Sequence, residues 1–110
     1  MKTWKLLFLP LACLAFSAKA DTCASWGHKA YPVTMQACSY SSGGSGYAEI
    51  TNDGSRTARV CYTIVTNNGR EHEGCATLAP GASTTPSCFS CGAKNGGARH
   101  ILLRSYRDAN

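Results

Sequence analysis

Six cysteines follow the first twenty residues of this chain: Cys23, Cys38, Cys61, Cys75, Cys88 and Cys91. An even number of cysteines in so short a stretch marks a disulfide framework. No other feature constrains the fold as much. Ninety residues bury only a small core, so covalent cross-links must supply part of the stability. A native disulfide typically contributes about 2–4 kcal/mol, in large part by restricting the unfolded chain. The net stability of a whole domain is roughly 5–15 kcal/mol.

Residues 1–20 have the three parts of a secretory signal. Lys2 and Lys5 form the positive start, Leu6 to Phe16 is an apolar run, and Ala18-Lys19-Ala20 is a small-x-small cleavage site. The apolar run is shorter than the ~20 residues a membrane span requires. Cleavage is expected before Asp21, leaving one disulfide-rich domain from 21 to 110 in the periplasm or the medium. Cys13 follows Ala12 as a lipid-anchoring cysteine would, but Pro10 sits where such signals usually carry leucine. The stronger expectation is that Cys13 leaves with the signal.

Removal of Lys2, Lys5 and Lys19 leaves eight basic residues against six acidic, a net charge of +2 instead of +5. So small an excess argues against nucleic acid as a partner. Lys94, Arg99, Arg104 and Arg107 fall near the C-terminus, which suggests a mildly basic face there.

Turn signals recur at Asp53-Gly54, Asn68-Gly69, Pro80-Gly81 and Asn95-Gly96-Gly97. Short stretches of β-branched and aromatic residues separate them, and none carries a helical apolar stripe. This pattern predicts an all-β fold: a small disulfide-stapled antiparallel β-sandwich, immunoglobulin-like, or a small barrel. The first strand is predicted within 30–40, with others over 47–51 and over 100–106. Ser41 to Gly46 reads as a flexible connection, and Gly92 to Gly97 as a hairpin turn.

The clearest hairpin runs from Ala58 to Leu78. Ala58, Val60, Tyr62 and Ile64 alternate with Arg59, Cys61, Thr63 and Val65, as a strand with one buried face requires. A three-residue turn at Asn67-Asn68-Gly69, with Gly69 left-handed, sets Cys61 directly opposite Cys75. Glu71 and Glu73 then share the face of the two cysteines. A two-residue turn would shift the register by one and destroy this match. The other preferred pairs, Cys23–Cys38 and Cys88–Cys91, rest on proximity in sequence; Cys23 or Cys38 could instead reach Cys88 or Cys91.

Thr77-Leu78-Ala79-Pro80-Gly81-Ala82-Ser83 places a turn between two polar strands. Over Tyr47 to about Ser83 this arrangement resembles a recurrent feature of bacterial immunoglobulin-like domains. The resemblance implies a sandwich and brings no site residue with it.

Catalytic signatures are missing. Cys88-Phe89-Ser90-Cys91 has redox or zinc-knuckle spacing, but it lies between β-like segments and has no second such pair. His28, His72 and His100 share no ligand spacing. Glu71 and Glu73 stand about 7 Å apart along a strand. That spacing would suit two glycosidase carboxylates, yet a sandwich of this size offers little cleft. No G-x-S-x-G or H-E-x-x-H occurs. The chain therefore reads as a non-enzyme that needs no cofactor and no metal.

By elimination, the expected function is an exported binding module: an inhibitor or immunity-type protein that neutralises another exported protein. Trp26, Tyr40, Tyr47, Lys94 and Arg99 are of the types that anchor interfaces, and the loops Ser41–Gly46 and Lys94–Arg99 would present them. The alternatives are a cationic membrane-active protein and a cell-surface adhesive protein contacting glycans. The tyrosines, scattered along the sequence, suggest no platform for sugars.

Overall fold

A computed structural model describes residues 22–26 and 30–109. The expected export signal, Cys13, the expected cleavage point before Asp21, and His28 lie outside the described residues. The fold is all-β, with two antiparallel sheets and three disulfides.

The first sheet contains β1 (Thr22–Ser25), β2 (Val33–Ser39) and β3 (Gly46–Asn52) in that order, with the short β6 (Ser83–Thr84) and β7 (Ser87–Cys88) both pairing to β3. The second sheet has the order β5-β4-β8, from β4 (Ala58–Thr66), β5 (Glu71–Leu78) and β8 (Ala98–Asp108). β8 also lies close against β1 and β2.

Period-two alternation builds the core between the sheets. Val33, Met35 and Ala37 of β2 and Ala48 and Ile50 of β3 face Val60, Tyr62 and Ile64 of β4 and Ile101 of β8. Four of the fourteen described residues in this buried cluster are alanine: Ala37, Ala48, Ala58 and Ala98. Each buries less apolar area than a larger side chain would, which raises the relative weight of the cross-links.

The β4–β5 hairpin has the register in which Cys61 pairs with Cys75 and Ala58 with Leu78. Gly69 takes φ 91°, and the turn closes through Gly69 N donating to Thr66 O and Thr66 N donating to Arg70 O. The Cα atoms of Cys61 and Cys75 stand 4.0 Å apart, the close approach of a non-hydrogen-bonded pair. Cys23 and Cys38, also directly opposite, cross-link β1 to β2 with the same 4.0 Å separation. Each sheet therefore carries one staple on its outer face. The third disulfide closes the Cys88–Cys91 loop between fully buried residues.

Two expectations about elements need correction. The segment 30–40 holds the second strand, not the first, because β1 precedes it. Gly92 to Gly97 is no hairpin turn. It forms a 3-10 turn over Ala93–Asn95 that carries the chain from β7 in one sheet to β8 in the other.

Bulges interrupt the β4–β8 pairing at two points. Cys61 pairs with Ser105 and Tyr62 with Leu103, so Arg104 is an extra residue; Val65 pairs with His100 and Thr66 with Ala98, so Arg99 is another. A bulge re-aims its side chain and bends its strand. These two arginines owe their positions to it.

Candidate functional site

Three loops meet at one end of the sandwich. The first is Tyr40–Ser45, between β2 and β3. Its ends are joined by Tyr40 N donating to Ser45 O at 3.2 Å. The second is 89–97, between β7 and β8. It docks on the first through Gly92 N to Gly44 O at 2.8 Å and Lys94 N to Gly43 O at 2.9 Å. The third is the β4–β5 turn. Its Asn67 Nδ2 donates to Gly96 O at 2.6 Å, and Asn68 Nδ2 to Asn95 Oδ1 at 3.1 Å. The Ser/Gly loop that the sequence suggests is flexible is thus closed on itself and bonded to the 89–97 loop, which the β4–β5 turn holds in turn.

Gly92 is required at the contact between the first two loops. A Cβ there would come within 2.4 Å of Gly44 C and Ser45 N, both backbone atoms. Only glycine permits so close an approach.

Phe89 sits in the docked loop, between the cysteines of the third disulfide. It is 82 % exposed, more than any other large apolar residue among those described. An exposed aromatic held by a short disulfide loop and two backbone bonds loses little conformational entropy when it enters a partner. Sequence reasoning missed Phe89. A signal was present: a lone phenylalanine inside a four-residue disulfide loop has too little chain around it to be buried.

Tyr40, 45 % exposed, packs its ring 5.6 Å from that of Tyr47, at a tilt of 48°. Tyr47 lies on the outer face of β3, between Cys38 of β2 and Ser87 of β7. Lys94 is exposed in the 3-10 turn, and Arg99 is exposed at its bulge next to that loop. The structure therefore brings Tyr40, Tyr47, Lys94 and Arg99 to one end, with Phe89 added. Trp26 is not there. Its backbone N–H donates to Met35 O and its side chain packs against the core near the opposite end.

The remaining charged residues are dispersed. Arg104 Nε donates to Thr63 Oγ1 at 2.9 Å, on the outer face of the β5-β4-β8 sheet. Arg107 pairs with Arg59 at the far end of that sheet from Arg99. The C-terminal cations thus form no single basic face. Glu71 and Glu73 stand exposed on β5, opposite Val65 and Thr63. His72 faces Ile64, and His100 faces Val65.

No protein family model, no curated protein and no solved structure matches this chain. Three disulfides are typical of extracellular or periplasmic proteins.

Proposed function

We propose that this chain is an exported, non-catalytic binding protein that neutralises another exported protein, with the Phe89 loop cluster as its contact surface. The observation that carries this reading is the exposure of Phe89 on a loop fixed by Cys88–Cys91 and by the backbone bonds to Gly43 and Gly44. An aromatic anchor at the centre, tyrosines beside it and a polar rim are the parts of a protein-binding hot spot. Tyr40 and Tyr47 supply the second and third rings. Lys94 and Arg99 favour a partner with an acidic rim, which would speed association at low salt. The leader at residues 1–20 supports action in the periplasm or the medium.

The test is capture with the oxidised protein from the exported fraction of its own cells and of their neighbours. The expected result is one stoichiometric partner. Phe89→Ala should weaken that complex by about 2 kcal/mol or more, the loss typical of a hot-spot residue. Tyr40→Ala should weaken it less, and Arg59→Gln, at the far end of the other sheet, not at all. A partner held equally by wild type and by the Phe89→Ala, Tyr40→Ala double variant would place the contact surface elsewhere.

A further inference from the structure

The opposite end of the sandwich gathers aromatic residues that the sequence scatters. Tyr31 stacks on Tyr106, with ring centroids 5.6 Å apart and planes 27° from parallel. Tyr106 is fixed from behind: its hydroxyl donates to Asn52 Oδ1 at 3.0 Å and its ring packs against the core. Tyr31, 49 % exposed, is the outer ring of this stack. Pro32 adjoins it and separates two open clefts. The first, with a cavity volume of about 190 Å³, runs between Pro32, Gly54, Ala58 and Tyr106, and Arg56 and Asp108 form its polar wall. The second lies between Trp26, Tyr31, Thr34 and Asp53.

We propose that this end binds an uncharged saccharide chain, with one ring on the Tyr31–Tyr106 stack and the next in the cleft beside Arg56 and Asp108. Three observations select this ligand. The first is shape. A small, mainly apolar cleft next to a backed aromatic face suits the C–H face of a pyranose ring, and a few placed polar groups suit its hydroxyl rim.

The second is the kind of hydrogen bond on offer. Ala58 is paired on both sides, to Leu78 and to Asp108, and Thr57 O already accepts from Ala109 N. These ladder groups are therefore not open to an extended peptide. The polar wall of the cleft is side-chain chemistry. Arg56 Nε donates to Asp108 Oδ2 at 2.8 Å with 67 % and 48 % of the two side chains exposed. Such an exposed pair contributes little to stability and offers donors and acceptors side by side, as vicinal hydroxyls require.

The third is charge. The one arginine lining the clefts is matched by Asp108, and Asp53 adds a negative charge beside the second cleft. An anionic polymer finds no unmatched cation among these described lining residues.

The test is calorimetric titration of the oxidised full chain with cellohexaose, N-acetylchitohexaose and maltohexaose. Saturable binding of at least one is expected at a Kd of millimolar or below. Tyr31→Ala should cut that affinity at least tenfold, and Arg56→Gln severalfold. Both side chains are exposed, so both variants should fold, as circular dichroism and an unchanged melting temperature will check. Phe89→Ala should leave sugar binding unchanged, which separates this site from the loop cluster at the other end. Binding of none of the three at millimolar concentration overturns the proposal, as does binding that survives Tyr31→Ala undiminished.

Discussion

The Tyr106 hydroxyl donates to Asn52 Oδ1 at 3.0 Å, and this bond joins the two sheets across the interior. Asn52 is fully buried at the end of β3. Its Nδ2 donates to Arg56 O at 2.8 Å and to Leu78 O at 2.9 Å, and its Oδ1 also accepts from Gly54 N. One amide thus satisfies backbone groups from the β3–β4 loop and from β5, besides a side chain of β8. A buried carbonyl left without its donor costs roughly 1–3 kcal/mol, and a network raises the stake further. Asn52→Ala should therefore lower stability by about 2–4 kcal/mol in urea unfolding. A loss under about 0.5 kcal/mol, the range of an ordinary surface substitution, would remove Asn52 from this role.

The Cys61–Cys75 bond cross-links strands whose register the turn already sets. Its two cysteines are 14 positions apart, and closing a loop of that size is worth about 3 kcal/mol in the unfolded chain. Replacing both by alanine should cost about that much while leaving the pairing of Val60 with Ala76 intact. Cross-strand nuclear Overhauser contacts in the variant check the register. A slipped pairing would mean that the disulfide, and not the Asn67-Asn68-Gly69 turn, selects it.

That hairpin was legible in the sequence because three local signals agree: alternation along 58–65, a glycine at the one position needing positive φ, and cysteines that match only in that register. β1 was not legible. Thr22–Ser25 is too short and too polar to alternate, and its place is set by Cys38 and by the Trp26 bond to Met35. The glycine run at 92–97 misled for a related reason. Its glycines do mark a tight turn, but whether the flanking strands pair with each other depends on loops 43–44 and 67–68, which are remote in sequence. Tyr40, Tyr47, Lys94 and Arg99, singled out by residue type, come to one end of the fold, and no local signal foretells it. Trp26 stands apart from them because the β1–β2 register, which is not local, sends it toward the other end.

Tyr62 should confer sensitivity to alkaline pH. It is 3 % exposed, and burial pushes its phenol above the ordinary value of about 10 by disfavouring the charged form. Below that ordinary value both folded and unfolded chains keep the proton, and pH does not act through this group. Above it, the unfolded chain releases a proton that the folded chain retains. Stability should then fall with rising pH until the folded-state value is passed. Tyr62→Phe should flatten this decline between pH 9.5 and 11.5, roughly the range bracketing tyrosine ionisation. Equal alkaline slopes in the two proteins would assign the decline to other groups.

Gly74 gives Tyr62 its space on the neighbouring strand. A Cβ at Gly74 would lie 2.4 Å from the Tyr62 hydroxyl oxygen. Gly74→Ala must therefore displace a buried ring, and should cost about 1–3 kcal/mol as overpacked sites do. In the Tyr62→Phe background the cost should shrink, since the nearest atom is gone. A double-mutant cycle measures this coupling, and additive effects would show that the two positions do not share this contact.

Gly92 and Gly69 separate two roles of glycine at the loop cluster. A Cβ at Gly69 meets nothing within 4 Å, so Gly69→Ala carries only the strain of φ 91°. About 1–2 kcal/mol is expected there. Gly92→Ala instead drives a methyl into the backbone of Gly44 and Ser45 and must part the two loops. The Gly92 and Lys94 amides, which donate to Gly44 O and Gly43 O, should then lose protection in hydrogen exchange, whereas in Gly69→Ala they should keep it. If the rigid setting of Phe89 is what lowers the entropic cost of binding, Gly92→Ala should weaken the complex with the protein partner though it removes no contact atom, and mainly by slowing association. Unchanged affinity in a variant whose Gly92 and Lys94 amides have lost protection would show that Phe89 binds without needing the docked loops.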